Sequence, residues 1–328
     1  MADLRPCPGA TLDDLDLSQV ETYRRELDRR NPGSPLVRQS PEELMVAVGA
    51  LVKEGRRLRP TLTGVLFFGR SPQRFYPSFT ITFLHFAGTS TARAEPGDPL
   101  YLDNREFRGS LPGIIDAVRA TIYEKQSKGA VVEGFVRHDL PEYPEFAYRE
   151  ALVNAVAHRD YDLEGSFVQV RLFADRLEIQ SPGGLGGNLT VDNIAYEQYT
   201  RNPHVMRLLE DFGYVERRGL GVDQMIRSMR RAGLESPIFE NRGSSFWVTL
   251  HGKPPAQPLP DLESLGLNDR QIRAVAHLQR EGRLTNREYQ KLFGVAERTA
   301  LYDLQGLVET GLALPVSSGR GRYYILRD

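Results

Sequence analysis

The chain has one cysteine, Cys7, and six scattered histidines in 328 residues. A single thiol cannot close an internal disulfide, and this set offers no thiolate metal cluster. Long apolar runs are missing too: the stretches 64–69 and 151–157 fall far short of the roughly 20 residues that span a bilayer. The opening Met1-Ala2-Asp3-Leu4-Arg5 has no apolar signal region behind it. Nor is there an excess of one charge sign, since 42 Lys+Arg face 43 Asp+Glu for a net charge of −1. That excludes a uniformly basic nucleic-acid coat while leaving room for a local basic patch. The chain contains no internal repeat and no G-x-x-x-x-G-K-[ST] string, so a Walker A motor is excluded. What is present, 40% hydrophobic and 26% charged residues, predicts a soluble cytoplasmic protein of two or three domains with no membrane partner.

Four prolines between 253 and 264 favour an extended linker. They divide the chain into a mixed α/β region (1–130), a second α+β domain (131–252), the linker (253–264) and a small C-terminal domain (265–328). In the first region, 17–30 reads as a charged helix. Ser40-Pro41-Glu42-Glu43 is a capping box opening a helix through Leu44, Val48 and Leu51 that stops at Gly55. The β-branched and aromatic runs 62–68 and 79–86 predict strands, and 110–128 a helix. Beyond Tyr143 come a long helix (145–158), a hairpin (167–173 and 176–180), a glycine-rich loop (181–187), helices near 202–212 and 221–232, and a strand (245–250). Helices beside an antiparallel hairpin predict an α+β sandwich.

The helix 145–158 carries the sharpest chemical signal. Phe146, Ala151, Leu152, Ala155 and Val156 are expected to face a core, while Glu150, Asn154 and His158 stand at i, i+4 and i+8 and line an adjoining face. Such a row is equally consistent with three solvated residues. Two glycine loops add to it. Ser181-Pro182-Gly183-Gly184-Leu185-Gly186-Gly187 follows a strand, and Arg218-Gly219-Leu220-Gly221-Val222 precedes a helix. Glycines there let backbone N–H groups approach an anion, although isolated glycine loops are commonly turns or caps.

The strings 149–161 (Arg-Glu-Ala-Leu-Val-Asn-Ala-Val-Ala-His-Arg-Asp-Tyr) and 175–185, with Arg201-Asn202-Pro203 and 216–221, resemble the Bergerat-fold (GHKL) ATPase domain. They are most similar to the "RecG-like C-terminal" variant found in bacterial transcriptional regulators, and the string 61–72 resembles the segment preceding it there. The resemblance implies ATP and Mg²⁺ as ligands. Asn154 would supply a hard oxygen to Mg²⁺ beside the triphosphate, and Glu150 would polarise the attacking water as catalytic base. His158 or Arg159 would face phosphate charge, Gly219 and Gly221 would cradle phosphates, and Gly183 and Gly184 would pass beneath the nucleotide. Ser181 stands where these domains carry the aspartate that accepts from the adenine amino group. A hydroxyl accepts without the charge, so weak adenine nucleotide binding is expected. Such regulators usually begin with a Schlafen-type AlbA DNA-binding module, for which nothing before Leu17 has room, and a shortened member is expected.

In the last domain, 267–280 reads as an amphipathic helix through Ile272, Val275, Ala276 and Leu278. Thr285-Asn286-Arg287-Glu288 is a capping box opening a second helix, Gly294 turns the chain, and 297–310 is a third helix buried through Leu301, Leu304 and Leu307. A hairpin, 312–316 with 322–326, follows. This order resembles a winged helix-turn-helix and implies double-stranded DNA as partner, with paired half-sites and a homodimer by analogy. Residues 264–328 hold ten Lys+Arg against seven Asp+Glu, or +3. The DNA-facing candidates are Thr285, Asn286, Arg287, Arg298, Thr299, Tyr302, Arg320 and Arg322; a solvated surface on a protein-interaction domain is the bland alternative. Three functions stay open: a nucleotide-responsive DNA-binding regulator with a degenerate site and at most weak ATPase activity, a DNA-associated ATPase, and an interaction protein with a dead nucleotide site.

Overall fold

The computed structural model describes residues 2–93, 97, 99–133, 136–215, 221–252, 262, 265–318 and 321–326. They form two compact units, Met1–Lys253 and Pro254–Asp328. No described helix is long and apolar enough to cross a membrane.

The first unit begins with 3₁₀ turns at Ala2–Leu4 and Leu12–Asp14, followed by α1 (Leu17–Arg30) and α2 (Pro41–Ala47). The expected Ser40–Glu43 capping box is present, but α2 stops well before Gly55. Gly49 takes a left-handed φ of 79°, and the chain turns there into a hairpin, β1 (Leu51–Glu54) with β2 (Arg57–Pro60). The expected strand 62–68 is instead a helix, α3 (Leu62–Phe68). All seven of its residues are buried, and a wholly buried segment shows no periodicity by which helix and strand could be told apart. Thr61 caps it by accepting from the Gly64 N–H, and Gly64 lies so close to the Ala50 carbonyl that a Cβ would collide with it.

Next come β3 (Ile81–Phe86), β4 (Tyr101–Phe107), α4 (Leu111–Lys125), the hairpin β5 (Lys128–Glu133) with β6 (Val136–Pro141), and α5 (Glu145–Ala157). Then follow β7 (Val168–Leu172), β8 (Arg176–Pro182), α6 (Pro203–Phe212), α7 (Gly221–Arg231), β9 (Ile238–Arg242) and β10 (Ser245–His251). Six strands form one mixed sheet in the order β4-β3-β7-β8-β10-β9, in which only β3 and β7 are parallel. Two of these strands come from residues before 130, so the regions 1–130 and 131–252 share one sheet and one hydrophobic core.

Alternation sets the two faces. Val170, Ile179 and Val248 are paired across three strands and buried beneath α5, whereas Gln169, Gln180 and Trp247 pair on the opposite face. There the Trp247 ring lies between the Arg171 and Arg242 guanidinium groups, each 4.7 Å from its centroid. The helix α5 is the hub of the covered face, touching α4, α6, α7, β8 and β10.

The second unit is built from α8 (Asp269–Glu281), a two-residue strand β11 (Leu284–Thr285), α9 (Asn286–Phe293), α10 (Glu297–Glu309), β12 (Ala313–Ser318) and β13 (Gly321–Leu326). The three strands are ordered β11-β13-β12, antiparallel throughout. Two expectations shift here. Ala274, not Ala276, joins Val275 and Leu278 inside, and Leu301 is exposed while Ala300, Leu304 and Leu307 fill the core. The buried face of α10 also contains a charge: Asp303, 1% exposed, accepts from Asn268 Nδ2 (2.9 Å), Arg270 Nε (2.8 Å) and Tyr289 Oη (3.0 Å). One carboxylate thus ties all three helices together.

Candidate functional site

A cavity of about 220 Å³ opens between α5, the sheet, α7 and the loop after β8. Glu150, Asn154 and His158 of α5 line it, with Ser181 and Gly183-Gly184 from β8 and its loop and Gly221 from α7. Phe146, expected in the core, is half-buried and lines the cavity as well. Apolar side chains supply much of the remaining wall, including Ile179, Met225, Phe239, Phe246 and Val248. Gly219 and Arg320 lie outside the described residues.

The carboxylate of Glu150 is 5% exposed, and its Oε1 accepts from Asn154 Nδ2 at 3.1 Å. Gly221 rests directly on that carboxylate; a Cβ there would collide with Oε1. Glycine is therefore required for α7 to pack on α5 at this point. The bond from Nδ2 leaves Asn154 Oδ1 as the amide atom available to a hard cation. Amide oxygen beside carboxylate is a donor set that suits Mg²⁺.

The C-terminal end of α5 explains several of the sequence strings at once. The last carbonyls of a helix have no partner within it, and in a buried setting each needs a donor. Ser181 Oγ donates to Ala155 O at 2.6 Å, and Tyr161 Oη donates to Val156 O at 3.0 Å. Asn202 Nδ2 reaches Ala157 O and Arg159 O, both at 2.9 Å. Arg201 Nη1 donates to His158 O at 3.2 Å, while its Nη2 donates to Gly184 O at 2.8 Å. Ser181, Tyr161, Arg201 and Asn202 are thus caps of the helix that bears the polar row. Sequence reasoning gave Arg201 and Asn202 no role, although the Arg201-Asn202-Pro203 string just before α6 was their signal.

These bonds fix two side chains at the cavity. Arg201, pinned to two backbone carbonyls, fixes the loop after β8 at the edge of the cavity. Ser181 has committed its proton to Ala155 O, so its hydroxyl offers the cavity lone pairs only. His158 lines the cavity, but burial and the nearby Arg201 push its pKa down to about 4. It faces the cavity as a neutral imidazole. Arg159 points away altogether. It is buried, donates to Ser166 O at 2.5 Å and Ser78 Oγ at 3.3 Å, and lies over the Tyr161 ring. The loop after β8 is also held by two residues that the sequence did not single out. The Tyr199 ring lies against Gly186 and Gly187, where any Cβ would strike it, and Asn241 Oδ1 accepts from Leu185 N at 3.3 Å.

In the second unit, Thr285 caps α9 in a reciprocal box with Glu288, as its spacing implied. Asn286 Nδ2 donates to Glu297 O at 3.4 Å and its Oδ1 accepts from Gln290 at 2.5 Å, so this side chain links the starts of α9 and α10. Arg287, Arg298 and Arg322 are exposed, Thr299 is half-buried, and Tyr302 is 75% exposed. Arg298 and Tyr302, four residues apart, share one face of α10.

Residues 165–250 match the family described as "Putative ATP-dependent DNA helicase recG C-terminal". That match takes in β7 to β10 and both glycine loops but begins after the helix carrying Glu150, Asn154 and His158. Residues 1–82 match a domain of unknown function, DUF8451. No curated protein matches the chain. Among solved structures, the DIP2311 protein from Corynebacterium diphtheriae is similar, with a TM-score of 0.60 and 24% identity over all of this chain. This chain spans 64% of that one, and at such identity the likeness shows the fold alone. Residues 165–250 of the first unit are therefore similar to an ATPase-like family and lie within a mixed α/β fold.

Proposed function

We propose that the protein is a nucleotide-responsive DNA-binding regulator, with an adenine nucleotide and Mg²⁺ held in the α5 cavity and duplex DNA bound by a winged helix formed by the second unit. The observation that carries the nucleotide half is the convergence of Glu150, Asn154, Ser181, Gly183-Gly184 and Gly221 on one cavity inside a fold whose strands match an ATPase-like family. The apolar wall of Ile179, Phe246 and Val248 suits a planar base, with Ser181 accepting from its amino group. Mg²⁺ bound at Asn154 would neutralise phosphate charge. Glu150 is the carboxylate placed to accept a proton from an attacking water, and its bond from Asn154 holds it in that orientation. A neutral Ser181 and a pinned Arg201 both favour weak binding and slow turnover.

For DNA, the exposed Arg298–Tyr302 face of α10 is the reading surface, and Arg322 on β13, with Arg287 at the start of α9, would contact phosphates. Titration calorimetry with ATP tests the nucleotide half. Binding should require Mg²⁺ in the wild type and lose that requirement in Asn154→Ala. In Glu150→Gln, ATP turnover should fall by roughly 10²-fold or more with binding retained. Absence of binding at about millimolar ATP with Mg²⁺, a concentration that detects even interactions of about −4 kcal/mol, would sink the reading.

A further inference from the structure

The first unit carries a basic feature that the nucleotide site does not use. The β1–β2 hairpin is a two-stranded sheet of its own, paired Leu51↔Pro60 through Glu54↔Arg57, with Gly55 at φ 63° and Arg56 closing the turn. Its base is fixed. Leu51 and Pro60 are buried, Cys7 N donates to Pro60 O at 2.8 Å, and Thr61 Oγ1 donates to Gly49 O at 2.6 Å. Its tip stands in open space: a side chain built at Gly55 would meet nothing within 4 Å. Lys53, Arg56 and Arg57 are exposed there and make no ion pair or hydrogen bond with any described residue. The one acid of the hairpin, Glu54, is paired with Arg59 at 3.4 Å.

Other exposed arginines of the first unit sit on carboxylates, as in Arg105–Asp103 at 2.7 Å, Arg119–Glu145 at 2.7 Å and Arg242–Glu240 at 2.6 Å. Three unpaired cations grouped at one tip form a local basic patch that a polyanion would complement. We propose that this hairpin is a second, sequence-independent DNA contact, its three cations lying on the phosphate backbone of a duplex. The proposal rests on the DNA-binding reading of the second unit and adds a contact on the first. Two observations favour a nucleic-acid backbone over an acidic protein. The tip has no exposed large apolar side chain to anchor a protein partner, Val52 and Leu58 being half-buried toward the base. A two-stranded β-ribbon also has the width that a major groove and its flanking phosphates accept.

Neutralising three phosphates releases about 2.7 counterions, so log affinity against log salt should be steeper by about that amount than without the hairpin cations. The test is duplex binding by the full chain across a salt series, on two unrelated sequences, for wild type, Lys53→Gln/Arg56→Gln/Arg57→Gln, Arg322→Ala and Glu54→Gln. The triple variant should melt like wild type, flatten the slope by about 2.7 on both duplexes, and weaken both equally; Glu54→Gln, which frees Arg59, should steepen it by up to about 0.9. If Arg322→Ala flattens the slope and the triple variant does not, the hairpin proposal is overturned while the DNA reading stands. If the wild type binds neither duplex at low salt, both fall.

Discussion

Asn202 offers the most direct test of how the site is held. It is 0% exposed, and its Nδ2 donates to Ala157 O and Arg159 O. The two carbonyls fix the amide orientation, since the opposite flip would set oxygen against oxygen. Asn202→Ala removes both donors and leaves two buried carbonyls without them, each costing on the order of 1–3 kcal/mol. A total of about 3 kcal/mol lowers Tm by about 6–12 °C for a unit of this size. Asn202→Asp discriminates further. At neutral pH it faces a charge toward two carbonyl oxygens in a dry site, so it should melt below the alanine variant. Protonation restores one donor, which raises the variant carboxyl above its unfolded value of about 3.9. A raised folded pKa means that the proton-linked stability is full below about pH 3.9 and is lost as pH rises through the raised value. The deficit against wild type, measured by scanning calorimetry at matched pH, should therefore shrink on acidification. An alanine variant that melts with wild type, or an aspartate variant at or above alanine at neutral pH, would refute the capping account of the α5 terminus.

Three other outcomes are expected. Because burial and Arg201 hold His158 at a pKa of about 4, NMR should show its imidazole neutral from about pH 5 upward; a midpoint near the ordinary value of about 6.5 would contradict the site geometry. Burial would raise the Asp303 pKa, but donors from Arg270, Asn268 and Tyr289 outweigh it and hold the carboxyl below the usual value. The second unit should thus keep this stabilisation at neutral pH and lose it as pH falls below about 3.9 and through the lowered value, while Asp303→Ala should cost about 3 kcal/mol in denaturant melts. On DNA, Arg322→Ala should weaken all sequences alike and reduce the salt slope by about 0.9, whereas Arg298→Ala should cost roughly 1–3 kcal/mol on a preferred site and little on random duplex; equal losses for both would remove Arg298 from base readout.

Local pattern in the sequence determined the elements whose signals are local. The Ser40 and Thr285 capping boxes, the helix expected over 145–158 and found at 145–157, and the hairpin of 167–173 with 176–180 all depend on residues three or four apart, or on strict alternation, and are present where the pattern puts them. The same spacing placed Glu150, Asn154 and His158 on one row. Where burial is complete or absent the pattern disappears. The helix Leu62–Phe68 is apolar all round, and the edge strands Tyr101–Phe107 and Ile238–Arg242 bury no residue fully, so neither type announced itself. What the row of polar residues does was a tertiary matter. Only folding brings Ser181, Arg201 and Asn202, more than twenty positions downstream, onto the last carbonyls of α5, because a buried helix end must find donors anywhere in the chain. Those donors then decide the chemistry. They take the Ser181 proton and hold Arg201 beside His158, whose imidazole is kept neutral first by burial and then by that guanidinium, while Arg159 turns toward Ser78 and Ser166. In the same way Asp303, a charge within an amphipathic helix, lies inside because three donors from two other elements meet it there.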